Sequence, residues 1–273
     1  MSQSRRPVRG LLAAAIVLAA VLSGCGATDP DPATSEIPSL TVGEIPAPAQ
    51  RAPSSAGPAP SAPATNSVPS VVADAFADPA AVTVVVNKRR PLDPIDYVPD
   101  DLVLPAVALA VDQANATLRP DAAQAVEEMY AAAAADDVGL TLVSGYRSYP
   151  VQVDTYNYWV SLNGSAENAD NYSARPGFSE HQTGLAFDIG QDDGACTLRS
   201  CFAETAAAAW AAENAHRFGF ILRYPEGRQD TTGFLAESWH YRFVGAETST
   251  SMWDDGVQTL EEYFGLPDAP DYG

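Results

Sequence analysis

Residues 179–188 of this chain read Ser-Glu-His-Gln-Thr-Gly-Leu-Ala-Phe-Asp, and residues 237–240 read Glu-Ser-Trp-His. The chain contains only three histidines, and these two segments hold two of them, His181 and His240, beside acidic residues. Two neutral imidazoles and one carboxylate form a three-ligand zinc site whose fourth position stays open for water. The two segments therefore predict a hydrolytic zinc centre and a fold that brings them together.

His181, Asp188 and His240 are the predicted ligands of one zinc ion per chain. We expect a turn at Gly184 to leave His181 in a loop and Asp188 in a strand, while His240 comes from the start of another strand. Each residue alone has an ordinary structural explanation, such as a turn-capping aspartate or a surface histidine. Their combination in a chain so poor in histidine favours the metal site, and the third histidine, His216, is interpreted as structural.

Glu237 is the predicted general base, because it lies three residues before His240 and its carboxylate can exchange a proton with a water at the metal. Arg147 lies in the segment 144–148, Ser-Gly-Tyr-Arg-Ser, and its guanidinium can pair with a substrate carboxylate or stabilise an oxyanion. Alone, Glu237 would be interpreted as a strand residue and Arg147 as a surface ion pair of little energetic value. Further candidates for substrate contacts are Ser179, Gln152 and Arg175.

Residues 1–24 have the composition of an export signal. Three arginines precede an apolar run at 11–22, which suits a signal peptide and is short for a membrane-spanning helix. The run ends in Leu-Ser-Gly-Cys, similar to a bacterial lipobox, so we expect Cys25 to be lipidated and to become the mature N-terminus. The predicted location is the extracytoplasmic face of the cell membrane, as a lipoprotein. The alternative is an ordinary signal peptide that is cleaved nearby.

The chain is strongly acidic, with 35 Asp and Glu residues against 15 Lys and Arg residues and a formal net charge of −20. Nucleic acids and anionic lipid surfaces bind to cationic faces, so neither is an expected direct partner. Membrane contact is instead expected through acyl chains on Cys25, because two chains anchor a protein stably. The protein is expected to be a monomer.

The segment 25–80 is rich in Pro, Ala and Ser and has no hydrophobic periodicity, which predicts a disordered stalk or, alternatively, a generic linker. Order is predicted from about Val82, and residues 81–273 are predicted to form one catalytic domain with a sizeable core. Cys196 and Cys201 are an even pair in an exported chain, which favours a disulfide worth roughly 2 kcal/mol. Two free thiols are the alternative, and no second Cys/His pair at zinc-finger spacing supports a metal role.

The hydrophobic pattern predicts helices that alternate irregularly with short strands. This arrangement is typical of an α+β fold, with a small antiparallel sheet backed by helices. The predicted helices cover 120–136, 150–162, 203–217 and 255–264, with a loop at 163–178, and the predicted strands cover 82–86, 140–143, 184–189, 218–222 and 239–244.

The segments 144–148, 179–188 and 237–240 resemble, in this order, the motifs of the VanY-type zinc D-alanyl-D-alanine carboxypeptidases. The resemblance extends over about residues 82–248, with supporting matches at 87–92, 175–177 and 219–225. It implies a fold of the Hedgehog/D-Ala-D-Ala-peptidase type and an enzyme that uses one zinc ion to cleave peptidoglycan stem peptides. It also implies that His181, Asp188 and His240 bind zinc, that Glu237 is the catalytic base and that Arg147 orients or polarises the substrate.

The resulting prediction is a zinc carboxypeptidase that removes the C-terminal D-Ala of peptidoglycan stem peptides. Within the same family, an L,D-carboxypeptidase or an endopeptidase that acts on the stem is the closest alternative, because the residues that choose between them cannot be identified by spacing. A non-catalytic zinc-binding cell-wall module is a further alternative, against which the intact Glu237 argues. A zinc-scavenging lipoprotein is disfavoured by the absence of a His-rich tract.

Overall fold

The computed structural model describes residues 76–273, and these contain a four-stranded antiparallel sheet. The strands are β1 (Leu140–Ser144), β2 (Ala186–Gln191), β3 (Phe220–Tyr224) and β4 (Glu237–Phe243). Their order in the sheet is β1-β2-β4-β3, and every neighbouring pair is antiparallel. The α+β prediction with a small antiparallel sheet is confirmed. Within the described residues, no helix combines the length and apolar character that crossing a membrane requires.

Seven α-helices surround this sheet in the described part of the chain. They are α1 (Pro120–Ala135), α2 (Tyr149–Asn163), α3 (Ala166–Ala169), α4 (Ala206–Asn214), α5 (Gln229–Thr232), α6 (Ala246–Asp255) and α7 (Leu260–Phe264). Short 3₁₀ helices cover Gln113–Asn115, Glu180–Thr183, Ser200–Glu204 and Ala215–Phe218. Helix α1 begins with Pro120 at its first position, as predicted, because proline has no amide hydrogen to leave unsatisfied there.

The two faces of the sheet have different chemistry because side chains alternate along a strand. In β2, Phe187 and Ile189 are fully buried in the main hydrophobic core, which also contains Val126 and Met129 of α1. Asp188 lies between Phe187 and Ile189 and faces the other way. The apolar face thus packs on helices, while the opposite face of β2 and β4 is free to carry polar groups.

The segment 82–86 was predicted as a strand, and this prediction is wrong. Val84, Val85 and Val86 are buried, but they lie in irregular backbone outside the four-stranded sheet. The carbonyls of Val82 and Val84 accept hydrogen bonds from Nη2 of the buried Arg242, at 3.0 and 2.6 Å. These carbonyls bond to the side chain of a β4 residue and not to the backbone of a strand. The valines therefore pack against the domain without extending the sheet.

Two helix predictions and one loop prediction differ from the structure in detail. The predicted helix 255–264 is confined to α7, because Gly256 ends the preceding helix in a left-handed conformation and Thr259 caps α7. That preceding helix, α6, was not predicted. The predicted helix 203–217 is confined to α4, with 3₁₀ turns before and after it. The predicted loop 163–178 contains the short helix α3.

The boundary between the stalk and the domain was predicted at residues 80 and 81. The described residues begin at Phe76, whose ring lies 4.2 Å from that of Phe264, so residues 76–80 contact the folded domain. The predicted signal peptide at 1–24, Cys25 and the rest of the predicted stalk lie outside the described residues.

Candidate active site

Strand register and one tight turn bring the predicted ligands together. Asp188 in β2 pairs directly with His240 in β4 and, on its other side, with Ser144 in β1. His181 lies in the 3₁₀ helix Glu180–Thr183, which Gly184 ends at a φ of 69°. The left-handed conformation favours glycine at this position, and a Cβ there would also lie 2.9 Å from Cδ2 of Leu102. The turn at Gly184 was predicted and is confirmed.

His181, Asp188 and His240 each direct one ligand atom to a common point. These three atoms lie within 4.8 Å of one another, and each residue is only 4% exposed. His181 Nε2 lies 3.4 Å from Asp188 Oδ2, and His240 Nδ1 lies 3.4 Å from Asp188 Oδ1. Two imidazole nitrogens around a carboxylate at these separations leave room for a cation between them.

Contacts on the far side of each imidazole fix which nitrogen faces the centre. His181 Nδ1 donates to the carbonyl of Gly145 at 2.8 Å, which leaves the lone pair on Nε2. His240 Nε2 faces Glu180 Oε2 at 3.5 Å, which assigns its proton to Nε2 and leaves Nδ1 for the centre. The two rings therefore present different nitrogens to the same point.

The charges of the cluster fit a bound cation. Burial alone would raise the pKa of Asp188, but His181 and His240 outweigh burial and hold that pKa below its usual range. Burial lowers the pKa of His181, which favours the neutral ligand form. Burial also acts to lower the pKa of His240, but the nearby carboxylates of Asp188 and Glu180 outweigh burial and raise it to about 9. Asp188 Oδ1 is buried and has no hydrogen-bond partner among the described residues, as expected for a ligand atom.

Glu237 lies beside this cluster at the start of β4. Its Oε2 is 3.6 Å from His240 Nδ1, and its side chain is 19% exposed towards the cleft that the cluster opens into. Burial raises the pKa of Glu237 to about 7. A carboxylate with a pKa near neutrality can both accept and return a proton, which is the chemistry predicted for this residue.

Arg147 lines the same cleft in a fixed orientation. Its guanidinium donates to Ser144 Oγ at 3.0 Å and to Gln152 Oε1 at 3.1 Å, and its backbone nitrogen donates to the carbonyl of His181 at 3.2 Å. Gln152 is fully buried, and its amide nitrogen donates to the carbonyl of Ala174 at 2.6 Å. Gln152 was predicted as a substrate contact; it lines the cleft, and its amide also holds Arg147.

The remaining predicted residues have different positions. Ser179 is 5% exposed and lines the cleft. Arg175 does not line it, because its guanidinium is bound by Asp170 at 2.8 Å and lies over the ring of Tyr272. The predicted disulfide between Cys196 and Cys201 is present. His216 stacks on Trp253 at a centroid distance of 4.1 Å, far from the motifs in sequence and in agreement with a structural role.

The cleft has a volume of about 500 Å³, and its rim is partly aromatic. Trp159 of α2 and Tyr172 stack at a centroid distance of 5.5 Å, and the loop that follows β2 contributes Leu198, Arg199 and Ser200 to the wall. The cleft is large enough for several residues of a peptide, with the His-Asp-His cluster at its floor.

A buried charge cluster behind the floor was missed by the sequence analysis. It consists of Glu180, Arg223, Arg242 and Glu261, all fully buried or 1% exposed. Glu180 Oε1 accepts from Arg223 Nε at 2.9 Å and from Arg242 Nη1 at 2.8 Å, and Arg223 makes a two-fold contact with Glu261 at 2.8 and 3.0 Å. The available signal was an arginine inside each of two apolar strands, at 220–224 and 237–243.

The cluster keeps Glu180 ionised behind His240. Burial alone would raise the pKa of Glu180, but the two guanidinium groups hold it well below its usual range. Neither Glu180 Oε2 nor His240 Nε2 has a hydrogen-bond partner within the described residues, and the two atoms face each other at 3.5 Å. A carboxylate fixed behind a ligating imidazole sets the orientation of the ring and makes the ligand more basic.

Comparisons with known proteins agree with this geometry. A family model for VanY, D-alanyl-D-alanine carboxypeptidase, matches residues 115–246. The chain is 40% identical over 189 residues to the putative carboxypeptidase YodJ of Bacillus subtilis (strain 168), a match that covers 68% of each protein.

Two solved structures share the fold. The LdcB LD-carboxypeptidase, whose structure addresses peptidoglycan recognition, is 39% identical with a TM-score of 0.64, over 70% of this chain and 88% of that one. A variant of the vancomycin resistance D,D-pentapeptidase VanY in complex with Zn(II) is 31% identical with a TM-score of 0.55, over 66% of this chain and 97% of that one.

Proposed function

The chain belongs to the VanY family of D-alanyl-D-alanine carboxypeptidases, and from this membership we propose that it is a zinc-dependent carboxypeptidase that removes the C-terminal D-Ala of peptidoglycan stem peptides. The observation that carries the proposal is the convergence of His181, Asp188 and His240, with Glu237 beside them, at the floor of a peptide-sized cleft. A structural metal site is closed by four protein ligands, whereas this one has three and opens into a cleft.

His181 Nε2, a carboxylate oxygen of Asp188 and His240 Nδ1 are the proposed zinc ligands. A zinc ion held there supplies a Lewis acid that activates water for attack on the peptide carbonyl. Glu237 accepts a proton during the attack and returns it to the leaving amine, because its carboxylate lies next to the ligands without being needed as one. Glu180 acts as a positioning residue, since it holds the His240 ring from behind.

Arg147 binds or polarises the substrate in this proposal. Its guanidinium is held by Ser144 and Gln152 on one side and lines the cleft on the other. A fixed cation next to the reacting carbonyl stabilises negative charge without having to reorganise during the reaction. Ser179 remains a proposed contact for the substrate backbone.

The proposal is tested with a synthetic pentapeptide stem that ends in D-Ala-D-Ala. We expect the protein to release one D-Ala, a chelator to abolish the release and added Zn²⁺ to restore it, all read by mass spectrometry. An intact pentapeptide after incubation with zinc-loaded protein contradicts D,D-carboxypeptidase activity.

An L,D-carboxypeptidase is the second candidate, and a specific observation favours it. Identity and TM-score to the LdcB LD-carboxypeptidase, 39% and 0.64, exceed those to the D,D-pentapeptidase VanY, 31% and 0.55. A tetrapeptide stem with one terminal D-Ala, incubated in parallel with the pentapeptide, separates the two activities. Loss of D-Ala from the tetrapeptide alone assigns the L,D activity.

The location of the protein is also a proposal. The apolar run at 11–22 and Cys25 support export and lipidation, with the Pro/Ala/Ser-rich segment after Cys25, predicted over 25–80, as a stalk. Labelling of cells with a fatty-acid analogue should mark the wild-type protein and leave a Cys25→Ser variant unlabelled. Light scattering on the soluble domain tests the expected monomer.

A further inference from the structure

Two cationic side chains line the cleft, and only one of them is explained by the proposed reaction. Arg147 is held by Ser144 and Gln152 close to the His-Asp-His floor. Arg199 belongs to the loop after β2 and lies in the wall of the same cleft with its side chain exposed. No other Lys or Arg residue lines this cleft among the described residues.

The guanidinium of Arg199 has no partner within the described part of the protein. Every other arginine of residues 76–273 has a hydrogen bond from its side chain. Arg199 has neither a side-chain hydrogen bond nor an ion pair there, although acidic residues outnumber basic ones by 35 to 15. In so acidic a protein, a cation left unpaired at a cleft wall is available to an external anion.

The backbone that carries Arg199 is nevertheless fixed. The disulfide between Cys196 and Cys201 closes the loop around it, with a Cα–Cα distance of 5.5 Å. The backbone nitrogen of Arg199 donates to the carbonyl of Cys196 at 3.0 Å, and its carbonyl accepts from Phe202 at 2.9 Å. Phe202 is fully buried in the main core. The backbone that carries the guanidinium is therefore already ordered, which reduces the entropy lost on binding a ligand.

The anion that fits is a carboxylate of the substrate outside the scissile D-Ala unit. A guanidinium pairs with a carboxylate through two parallel hydrogen bonds. Stem peptides can offer such a group at two places: the side chain of a diamino diacid in the third position, or the α-carboxyl of a γ-linked glutamate in the second. Both lie on the N-terminal side of the scissile bond, whereas Arg147 is placed at the reacting end.

We propose that Arg199 binds a free carboxylate of the stem peptide N-terminal to the scissile bond and so makes the enzyme selective for stems in which that group is not amidated. The inference rests on the proposed function, because it takes the stem peptide as the substrate. It adds a second anion contact to the cleft, and it gives the disulfide loop a role in substrate choice.

The test compares four variants of one substrate. All four peptides end in D-Ala-D-Ala. The third position holds either the diamino diacid or its side-chain amide, and the second position holds either a γ-linked glutamate or its α-amide. Release of D-Ala gives kcat and KM for wild type, Arg199→Ala and Arg199→Lys. Arg217→Ala is the matched control, because among the described residues the side chain of this exposed arginine hydrogen-bonds only to Asn214, and it lies outside the cleft.

We expect the wild type to prefer one free carboxylate over its amide by about 10- to 100-fold in kcat/KM. Arg199→Ala should abolish this preference through KM and leave the rate on the fully amidated peptide unchanged. Arg199→Lys should retain part of the preference, and Arg217→Ala all of it. The position whose amidation loses its effect in Arg199→Ala identifies which carboxylate is bound.

Equal preferences in wild type and Arg199→Ala would overturn the inference. If the zinc-loaded wild type released D-Ala from none of the four peptides, the proposed function would fail separately. The inference would then be tested by equilibrium binding of the same peptides to zinc-loaded Glu237→Gln protein, with and without Arg199→Ala. A carboxylate preference that depends on Arg199 supports the inference, and the lack of one refutes it.

Discussion

The floor of the cleft and its rim are held in place by different means. The floor consists of His181, Asp188, His240 and Glu237, and it rests on paired strands and on the buried charge cluster. The rim consists of Trp159, Tyr172 and Arg199, which come from helix α2 and two loops and are partly exposed. A change to the floor should alter chemistry, metal binding or folding, while the replacement of an exposed side chain of the rim should alter mainly which substrate is preferred.

The largest effect is expected from Glu237→Gln. This substitution keeps the shape of the side chain and removes its capacity to accept a proton, so kcat should fall by about 10²- to 10⁴-fold. The zinc content and the unfolding midpoint should stay near those of the wild type, because Glu237 is not a proposed ligand. Wild-type turnover in this variant would refute the role of the floor as the reacting centre.

The buried charge cluster can be compared with an exposed ion pair one residue away. Glu261→Gln removes one charge from a fully buried pair with Arg223, and we expect the free energy of unfolding to fall by about 3–5 kcal/mol. The matched control is Glu262→Gln, which breaks the exposed pair with Arg228 and should cost less than about 1 kcal/mol. Urea unfolding of both variants measures the difference, and equal losses would show that burial does not distinguish the two pairs.

A smaller effect is expected on zinc affinity when the support behind His240 is removed. Glu180→Gln leaves all three proposed ligands in place but weakens the contact at His240 Nε2, so the affinity for zinc should fall by about 10- to 100-fold. Competition with a chromophoric chelator measures this directly, at a temperature where the variant is folded by circular dichroism. Unchanged affinity in a folded variant would limit Glu180 to a role in stability.

The smallest effect should come from opening the loop at the rim. Replacing both Cys196 and Cys201 by Ser should lower the free energy of unfolding by roughly 2 kcal/mol, because the closed loop is short. The value of kcat on the fully amidated peptide, which lacks the carboxylate proposed to bind Arg199, should not change. A fall in kcat on that peptide would show that the loop also shapes the floor.

The sequence predicted those parts of the site whose residue types form a recognisable motif, at 179–188 and at 237–240. His181 and Asp188 lie within a few residues of each other in the sequence. The Gly184 turn and the alternation of β2 bring them together in space, so this part of the site could be inferred. The buried charge cluster could not, because Glu180 bonds to residues 43 and 62 positions away. The segment 82–86 was misassigned for the same reason, since its carbonyls bond to Arg242 about 160 positions later.

The hydrogen bonds from Arg242 to Val82 and Val84 set a limit on how far the chain can be shortened. A fragment for expression that started at Val85 would lack both carbonyl acceptors and leave donors of a fully buried guanidinium unsatisfied. The same guanidinium bonds to Glu180, which stands behind His240. Trimming the chain at a place that looks peripheral would therefore loosen the support of a zinc ligand.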